Sequence, residues 1–441
     1  MTISDAMGSE ITSQSYEGKR MLQRAEGLDS SWAFADGNRL RNNKDSLCLL
    51  DNVQFIYELA LAQLELQSLG ANYEITNGLR EFKLLEAEDI TKLIKRLAYF
   101  KVVEGEYTDY FRIIQKNRTR SVNQYLTHWI YPYKGKFHPQ MIRALLNIIK
   151  VEPGDTILDP FIGSGTTAVE AQLLGINCVG IDVSPLCVLQ SRVKTESVSV
   201  LNGIIKVKES IASQTQPSLL NPKSGALDQA IDLIGNEKIR DFYKVAELVA
   251  ISDSARRRRN FADSFFKNLS LMIYSVKDYA EIVKKLDIKL GQVDIKVGDA
   301  RNLSLDKDSV DGIITSPPYS IALDYVANDA HAFKALDFEL KEMKQEFIGL
   351  RGKGQERIGL YNQDMEKSLK EIYRVLKPGK HAVIVIGNAT YLGEEIKTVE
   401  FTVERAKKIG FKLVKNIDKI IFGLYNVMQR EHILIFQKPL A

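Results

Sequence analysis

Residues 156–182 read TILDPFIGSGTTAVEAQLLGINCVGID. Thr156 to Leu158 are a short apolar run, Gly163 and Gly165 open a loop, Thr166 to Leu174 carry helical periodicity, and Cys178 to Ile181 form a second apolar run ending at Asp182. A strand, a glycine loop, a helix and a second strand make one half of a nucleotide-binding βαβ unit, in which glycine lets backbone approach a ligand and an acid about 20 residues on accepts ribose hydroxyls. Strands apolar on both faces predict a parallel sheet covered by helices, an α/β class. Gly163 and Gly165 give only G-x-G. Asp159-Pro160-Phe161 before them, with no third glycine for a pyrophosphate, suit a ligand without phosphates.

A second stretch is Thr315 to Tyr319, TSPPY, at the end of the apolar run Val310-Asp311-Gly312-Ile313-Ile314. Neither proline can donate a ladder hydrogen bond, so the strand stops abruptly. That leaves a rigid turn presenting the Ser316 hydroxyl, the Ser316 and Pro317 carbonyls and the Tyr319 ring at the carboxyl end of a strand, where open α/β sheets bind ligands. Taken alone, the string also reads as a proline-stiffened turn with a packed tyrosine.

LDPFIGSGTT paired with TSPPY resembles the amino-methylating DNA methyltransferases that use S-adenosylmethionine, and TSPPY resembles their cytosine-N4 branch, since the adenine-N6 branch more often has Asn or Asp before PPY. The resemblance covers residues 120 to 441, apart from an unmatched insert. It implies a Rossmann-like fold with a seven-stranded, mostly parallel sheet and a final antiparallel strand. It also implies that Ser316, Pro317, Pro318 and Tyr319 form the catalytic loop. His138, Pro139, Asp159, Phe161, Gly163, Gly165, Thr166, Asp182, Asp299, Ala300 and Thr315 would line the cofactor site, with Phe137-His138-Pro139-Gln140 closing over its methionine end and Gly298-Asp299-Ala300 forming its adenine corner. The target amine, poorly nucleophilic because its lone pair is delocalised, would be flipped out of double-stranded DNA onto Tyr319. Adenine N6, or an RNA or tRNA base amine, are the alternative targets, and a cognate restriction endonuclease or other defence component is the further partner the family implies. The cofactor region precedes the catalytic loop, the reverse of many cytosine-N4 enzymes, which leaves the target-recognition segment open.

The 441 residues, 45% apolar and 26% charged, predict a soluble catalytic domain with additions, and the net charge of +4 does not by itself point to a nucleic-acid partner. With no membrane-length apolar run and a polar start, MTISDAMGSE, a cytoplasmic location is expected. Cys48, Cys178 and Cys187 have no metal spacing, no Pro-Cys pair exists for a cytosine-C5 nucleophile, and the five histidines stand singly, so no metal is expected.

Along the chain, residues 1–45 read as a flexible N-terminus and 46–110 as a small helical domain, with helices over Asp51 to Leu69 and Ala87 to Phe100, either bracing the core or serving DNA contact or dimerisation. Residues 111–193 and 291–441 read as the catalytic domain and 194–290 as a helical insert for target recognition or architecture. Residues 111–150 hold eight Lys or Arg and no acid, interleaved with aromatics. This reads either as a phosphate-gripping, base-stacking surface or as a solvated basic face over an aromatic core. The candidate DNA contacts are Arg118, Arg120, Lys134 and Lys136, together with Arg351 and Lys353 in RGKGQER (351–357), which reads as part of a lid over residues 320 to 362 hinged at Gly352 and Gly354.

Overall fold

The computed structural model describes residues 46–117, 123–214, 225–319, 324–422 and 428–440; the expected flexible N-terminus, 1–45, lies outside them. The described chain begins with β1 (Ser46–Leu49), the helix Ile56–Ser68, β2 (Ala71–Ile75), β3 (Glu81–Ala87), the helix Ile90–Arg96, β4 (Phe100–Val103), β5 (Glu106–Tyr107) and the helix Asp109–Ile114. The strands form a sheet of order β2-β3-β1-β4-β5, antiparallel throughout. This corrects the expected small helical domain. Phe82 and Leu84 alternate with exposed or half-buried neighbours, a period of two that places β3 with one face in the core. The helix expected over 87–100 is only Ile90–Arg96, with Asp89 accepting from the Lys92 N–H at 2.9 Å as its cap. Nor does this region have a core of its own. Leu61, Leu66, Phe82 and Phe100 share one apolar cluster with Met141, Leu145, Ile157 and Val383, and the buried Glu65 carboxylate accepts from the Ala98 and Tyr99 N–H groups and from Asn147.

After the helix Pro139–Ile148 come β6 (Thr156–Asp159), the helix Thr166–Leu173, β7 (Asn177–Asp182) and the helix Pro185–Glu196. β8 (Val293–Val297), β9 (Val310–Thr315), β10 (Leu376–Gly387), the hairpin β11 (Ala389–Tyr391) and β12 (Glu394–Ile396), the helix Thr398–Ile409, β13 (Lys412–Phe422) and β14 (Met428–Gln437) follow the insert. The second sheet has the order β13-β14-β10-β9-β6-β7-β8, with β14 antiparallel to both neighbours and the other pairs parallel. The Rossmann-like methyltransferase fold expected from the sequence is present. From β6 the chain winds outward through β7 and β8, then returns beside β6 as β9 and winds the other way. The strand order therefore reverses between β6 and β9, where open α/β sheets bind ligands, and the glycine loop and TSPPY leave the carboxyl ends of these two neighbouring strands.

The insert is helical as expected, with helices Leu201–Gln214, Ala226–Asp232, Glu237–Arg257 and Phe261–Lys285. Its core of Phe242, Tyr243, Phe265 and Met272 extends to Val326, Phe333, Met343 and Phe347 of the connection after β9. Those four explain a second correction. Burial of their apolar side chains makes that connection a set of short helices, Tyr325–Asn328, Ala330–Ala335 and Leu340–Glu346, and RGKGQER runs into a long helix, Gly354–Val375, where an irregular connection hinged at Gly352 and Gly354 was expected. No described helix is long and apolar enough to cross a membrane.

The basic aromatic stretch is tied to the glycine-loop helix by a buried network. Glu170, fully buried, accepts from Tyr125 Oη at 2.6 Å, His128 Nε2 at 2.8 Å and Arg143 Nη1 at 3.2 Å. Burial pushes the Glu170 carboxyl up, but the His128 hydrogen bond and the Arg143 charge outweigh it and leave it below the usual range. Burial holds His128 down at about 4, so the ring is neutral and donates from Nε2. Glu170→Ala strands the buried Arg143 guanidinium and should cost about 3–5 kcal/mol in urea unfolding. For His128 the folded pKa lies below the unfolded value of 6.5, so its contribution is complete above pH 6.5 and lost as pH falls toward 4. The stability advantage of wild type over His128→Gln should therefore shrink with acidification by about 1.4 kcal/mol per pH unit across that window; an advantage constant from pH 7 to 4.5 would mean that the ring titrates in the fold as it does in the unfolded chain.

Candidate active site

Asp159 ends β6 and joins the two loops. Its Oδ1 accepts from Thr315 Oγ1 at 2.6 Å and the Phe161 N–H at 3.1 Å, and its Oδ2 from Thr167 Oγ1 at 2.7 Å. Burial nevertheless raises its pKa to about 6. Asp159 and Thr315, both expected at the cofactor, thus spend their side chains on each other and hold the floor of the site. In the loop that follows, Gly163 is left-handed at φ 49°, and a Cβ there would sit 3.4 Å from the Tyr133 ring. Gly165, at φ 77°, has no room for one, because Ser191 Oγ would lie 2.7 Å away. The loop carbonyls turn inward: Ser191 Oγ donates to Gly163 O at 3.2 Å and the buried Lys194 ammonium to Ser164 O at 2.7 Å. Thr166 starts the helix with its hydroxyl 3.0 Å from that of Ser164, and Phe161 packs on Ile348, Tyr361 and Met365.

Asp182 stands at the carboxyl end of β7, level with Val297 of β8. Its Oδ2 accepts from the Gly163 N–H and its Oδ1 from the Ser184 N–H, both at 2.9 Å, and burial raises its pKa to about 6. The Cys187 thiol is a third, weak donor, and the carboxylate keeps acceptor capacity beyond these bonds. Beside it, the Asp299 carboxylate is held by Arg301 Nε at 2.8 Å, and Ala300 is buried. Arg301, which sequence reasoning missed, also reaches Asp364 at 3.3 Å and Glu346 O at 3.1 Å and so ties the Asp299 corner to the Gly354–Val375 helix. Its only sequence signal is its spacing, two residues after Asp299.

On the TSPPY loop, Pro317 is buried and Ser316, Pro318 and Tyr319 are half-buried. Ser316 Oγ donates to the Val385 carbonyl of β10 at 2.9 Å, which uses the hydroxyl proton and leaves the oxygen lone pairs as acceptors. The Tyr319 phenol donates to Glu431 of β14, whose other oxygen takes Lys419 of β13 at 2.5 Å. Burial and the adjacent Glu431 charge raise the Tyr319 pKa, so the phenol stays protonated. Glu431 and Lys419, far along the chain, carried no sequence signal. His138 precedes the helix Pro139–Ile148, and burial with the nearby Lys419 and Lys136 charges lowers it to about 3, a neutral ring.

The expected DNA contacts divide. Arg118 and Arg120 lie outside the described residues. Lys136 is a correction: its ammonium turns inward to His128 O at 2.7 Å and Asn123 O at 3.0 Å, and burial lowers it to about 7. Arg351 is another, since it pairs with Asp364 instead of standing free. Lys134 is exposed, with its ammonium 2.9 Å from Asn328 Oδ1, and Lys353 is exposed. The interleaved aromatics are mostly internal. Tyr125 and Tyr131 are buried, and Trp129 Nε1 donates to Ser275 at 2.5 Å. Among the described residues, no group of three His, Cys, Asp or Glu is arranged to hold a metal ion.

A family model described as DNA methylase matches residues 15–191, under half of the chain and ending before TSPPY. The type II methyltransferase M.MjaII of Methanocaldococcus jannaschii is 35% identical over 125 residues, 26% of this chain and 22% of that protein. M.BsoBI of Geobacillus stearothermophilus is 34% identical over 127 residues, 28% and 24%. These matches support the amino-methyltransferase family. The chain thus aligns with about a quarter of the length of these two relatives. A tRNA (guanine(10)-N2)-dimethyltransferase of M. jannaschii is also 34% identical, over 107 residues, 24% of this chain and 28% of that protein.

The bond from Tyr319 to Glu431 ties the loop to the closing hairpin. In a double-mutant cycle of Tyr319→Phe and Glu431→Gln read by unfolding free energy, the coupling should be about 1.5 kcal/mol, the low end for hydrogen bonds to a charged group. Additive effects would mean that the bond is not formed in solution.

Proposed function

We propose that this chain transfers a methyl group from S-adenosylmethionine to the exocyclic N4 amine of a cytosine flipped out of double-stranded DNA. The observation that carries this reading is the Ser316 oxygen. Its proton is committed to Val385 O at 2.9 Å, so it can only accept, and the donor it suits is an amine hydrogen. A neighbouring carbonyl of Ser316 or Pro317 accepts the second one. Two such bonds draw the amine out of conjugation and aim its lone pair away from the loop, an electrostatic and positional contribution that needs no general base. Tyr319 offers the ring on which the base stacks, with its tilt held by Glu431.

The residues also fit the cofactor. Asp182 can accept from the ribose hydroxyls on oxygens that hold one backbone N–H each and the weak, displaceable Cys187 thiol, and Lys136 has one N–H beyond its two carbonyl partners for a carboxylate at the methionine end. The bound cofactor supplies an electrophilic methyl on its sulfonium. Asp182, Lys136 and His138-Pro139 bind and orient it, while the buried Asp159–Thr315 pair sets the height of the catalytic loop above it. Asp299 would serve the adenine amino group while remaining braced by Arg301.

Nucleosides from DNA of a methylation-free host expressing the protein, separated by mass, should contain N4-methylcytosine. N6-methyladenine instead would keep the enzyme class and correct the base. A second reading, a tRNA base amino-methyltransferase, is favoured by the similarity to the tRNA (guanine(10)-N2)-dimethyltransferase; modified tRNA beside unmodified DNA would establish it. On a verified substrate, Ser316→Ala should slow single-turnover methyl transfer by roughly 10- to 100-fold, about the 1.4–2.7 kcal/mol of one lost hydrogen bond in the transition state. Its cofactor affinity should be unchanged, and a wild-type rate would assign the acceptor role to the backbone carbonyls alone.

A further inference from the structure

The insert carries a feature that the site described above does not use. Its two long helices, Glu237–Arg257 and Phe261–Lys285, are joined by three residues, and the turn reads Asp253-Ser-Ala-Arg256-Arg257-Arg258-Arg259-Asn-Phe-Ala-Asp263. Cations in the last helical turn stabilise a helix by about 0.3–1 kcal/mol, which accounts for Arg256 and Arg257 but not for Arg258 and Arg259, which lie beyond it. The surrounding acids do not neutralise the set. Asp253 takes Arg257 at 2.9 Å and Arg259 at 3.2 Å, and Asp263 is the other acid of the turn. Arg258 is exposed and, among the described residues, has no ion pair. The Arg256, Arg257 and Arg259 side chains are 42%, 62% and 48% exposed. Each guanidinium has five donors, so those bound to Asp253 through a single nitrogen retain others for an anion.

The position of the turn is as informative as its charge. Arg256 reaches across to the Asn328 carbonyl and lies 3.9 Å from Asp329, while Lys134, from a distant part of the chain, donates to the Asn328 side chain at 2.9 Å. Two basic segments therefore converge on the short helix that begins six residues after Tyr319. Tyr133, next to Lys134 in the chain, stacks on Tyr325, the first residue of that helix, with planes 12° apart. Exposed guanidiniums that keep donors beyond their bonds to Asp253, in a turn that meets the same short helix as Lys134, suit the oxygens of a phosphate backbone.

We propose that Arg256–Arg259 with Lys134 form the surface that grips the phosphate backbone of the DNA duplex whose base enters the TSPPY loop; this rests on the DNA-methyltransferase reading. The insert is then the positioning element for the substrate, locked by its apolar core to the segment that follows the catalytic loop. The test is the triple variant Arg257→Gln, Arg258→Asn, Arg259→Gln. Glutamine keeps a donor for Asp253, asparagine tolerates the left-handed φ of 53° at position 258, and Arg256 and Lys134 stay to brace Asn328. In salt titrations of duplex binding, the dependence of log affinity on log salt should flatten by about 2–3 relative to wild type, about 0.9 for each phosphate no longer neutralised. The flattening should be the same on unrelated DNA sequences, with cofactor affinity unchanged and a single cooperative unfolding transition retained. Arg257→Lys with Arg259→Lys should restore most of the slope. A variant with the wild-type slope, from a wild type that does methylate DNA, overturns the surface and leaves the function intact. Wild-type protein that leaves DNA unmodified overturns the functional reading itself, and an arginine-dependent slope on tRNA but not on duplex DNA overturns the assignment to duplex.

Discussion

The Asp159 carboxylate is the point on which the geometry of the site depends. Three donors converge on it: Thr315 from the neighbouring strand, Thr167 from the helix that follows the glycine loop, and the Phe161 backbone inside that loop. Because the group is fully buried, none of these bonds competes with water, and a donor left alone there would cost about 1–3 kcal/mol. The glycine loop and TSPPY are therefore one hydrogen-bonded unit at the reversal point of the sheet. Displacement of either loop would strand at least one buried polar group.

Around that unit the chain adds supports of different kinds. The closing hairpin β13–β14 holds the Tyr319 phenol through Glu431 and Lys419, and β10 holds the Ser316 hydroxyl through Val385. Arg301 ties the Asp299 corner to the long helix Gly354–Val375. On the far side, Glu170 gathers Tyr125, His128 and Arg143, so the start of the glycine-loop helix is fixed to the segment that leads into His138. The N-terminal sheet contributes to this same apolar core, and the insert has a second core that it shares with the connection after the TSPPY loop.

Much of this was legible before any coordinates. The strands β6, β7 and β9 and the helix after the glycine loop follow from apolar runs bounded by turn residues, whereas the seven-stranded, mostly parallel order with its final antiparallel strand was what the resemblance implied. Asp182 and Asp299 stand at strand ends because such runs end where the sheet meets solvent. The basic stretch 111–150 was the hardest part to read. Arg143, Lys136 and Tyr125 have the composition of a nucleic-acid surface, yet all three point inward, where a buried carboxylate or backbone carbonyls satisfy them. A cation in a sequence carries no mark of whether its partner is a phosphate or an internal acceptor.

The sequence by itself determined the α/β class, the two motif loops and the helical insert, because these rest on local periodicity and on glycine and proline chemistry within a few residues. Only the tertiary structure decided that residues 46–107 build an antiparallel sheet, since one half-buried face depends on what packs against it. It alone decided that the connection after TSPPY is a set of helices seated on the insert. It also decided which polar side chains are spent on the fold and which remain for a ligand. Asp159 and Asp182 are both buried aspartates at the ends of neighbouring strands. The first takes two side-chain hydroxyls and one N–H that join two strands and a helix, whereas the second takes two backbone N–H groups and the weak Cys187 thiol donor, which leave acceptor capacity. That difference is set by the neighbours each meets across the sheet, which are up to 156 residues away in the chain.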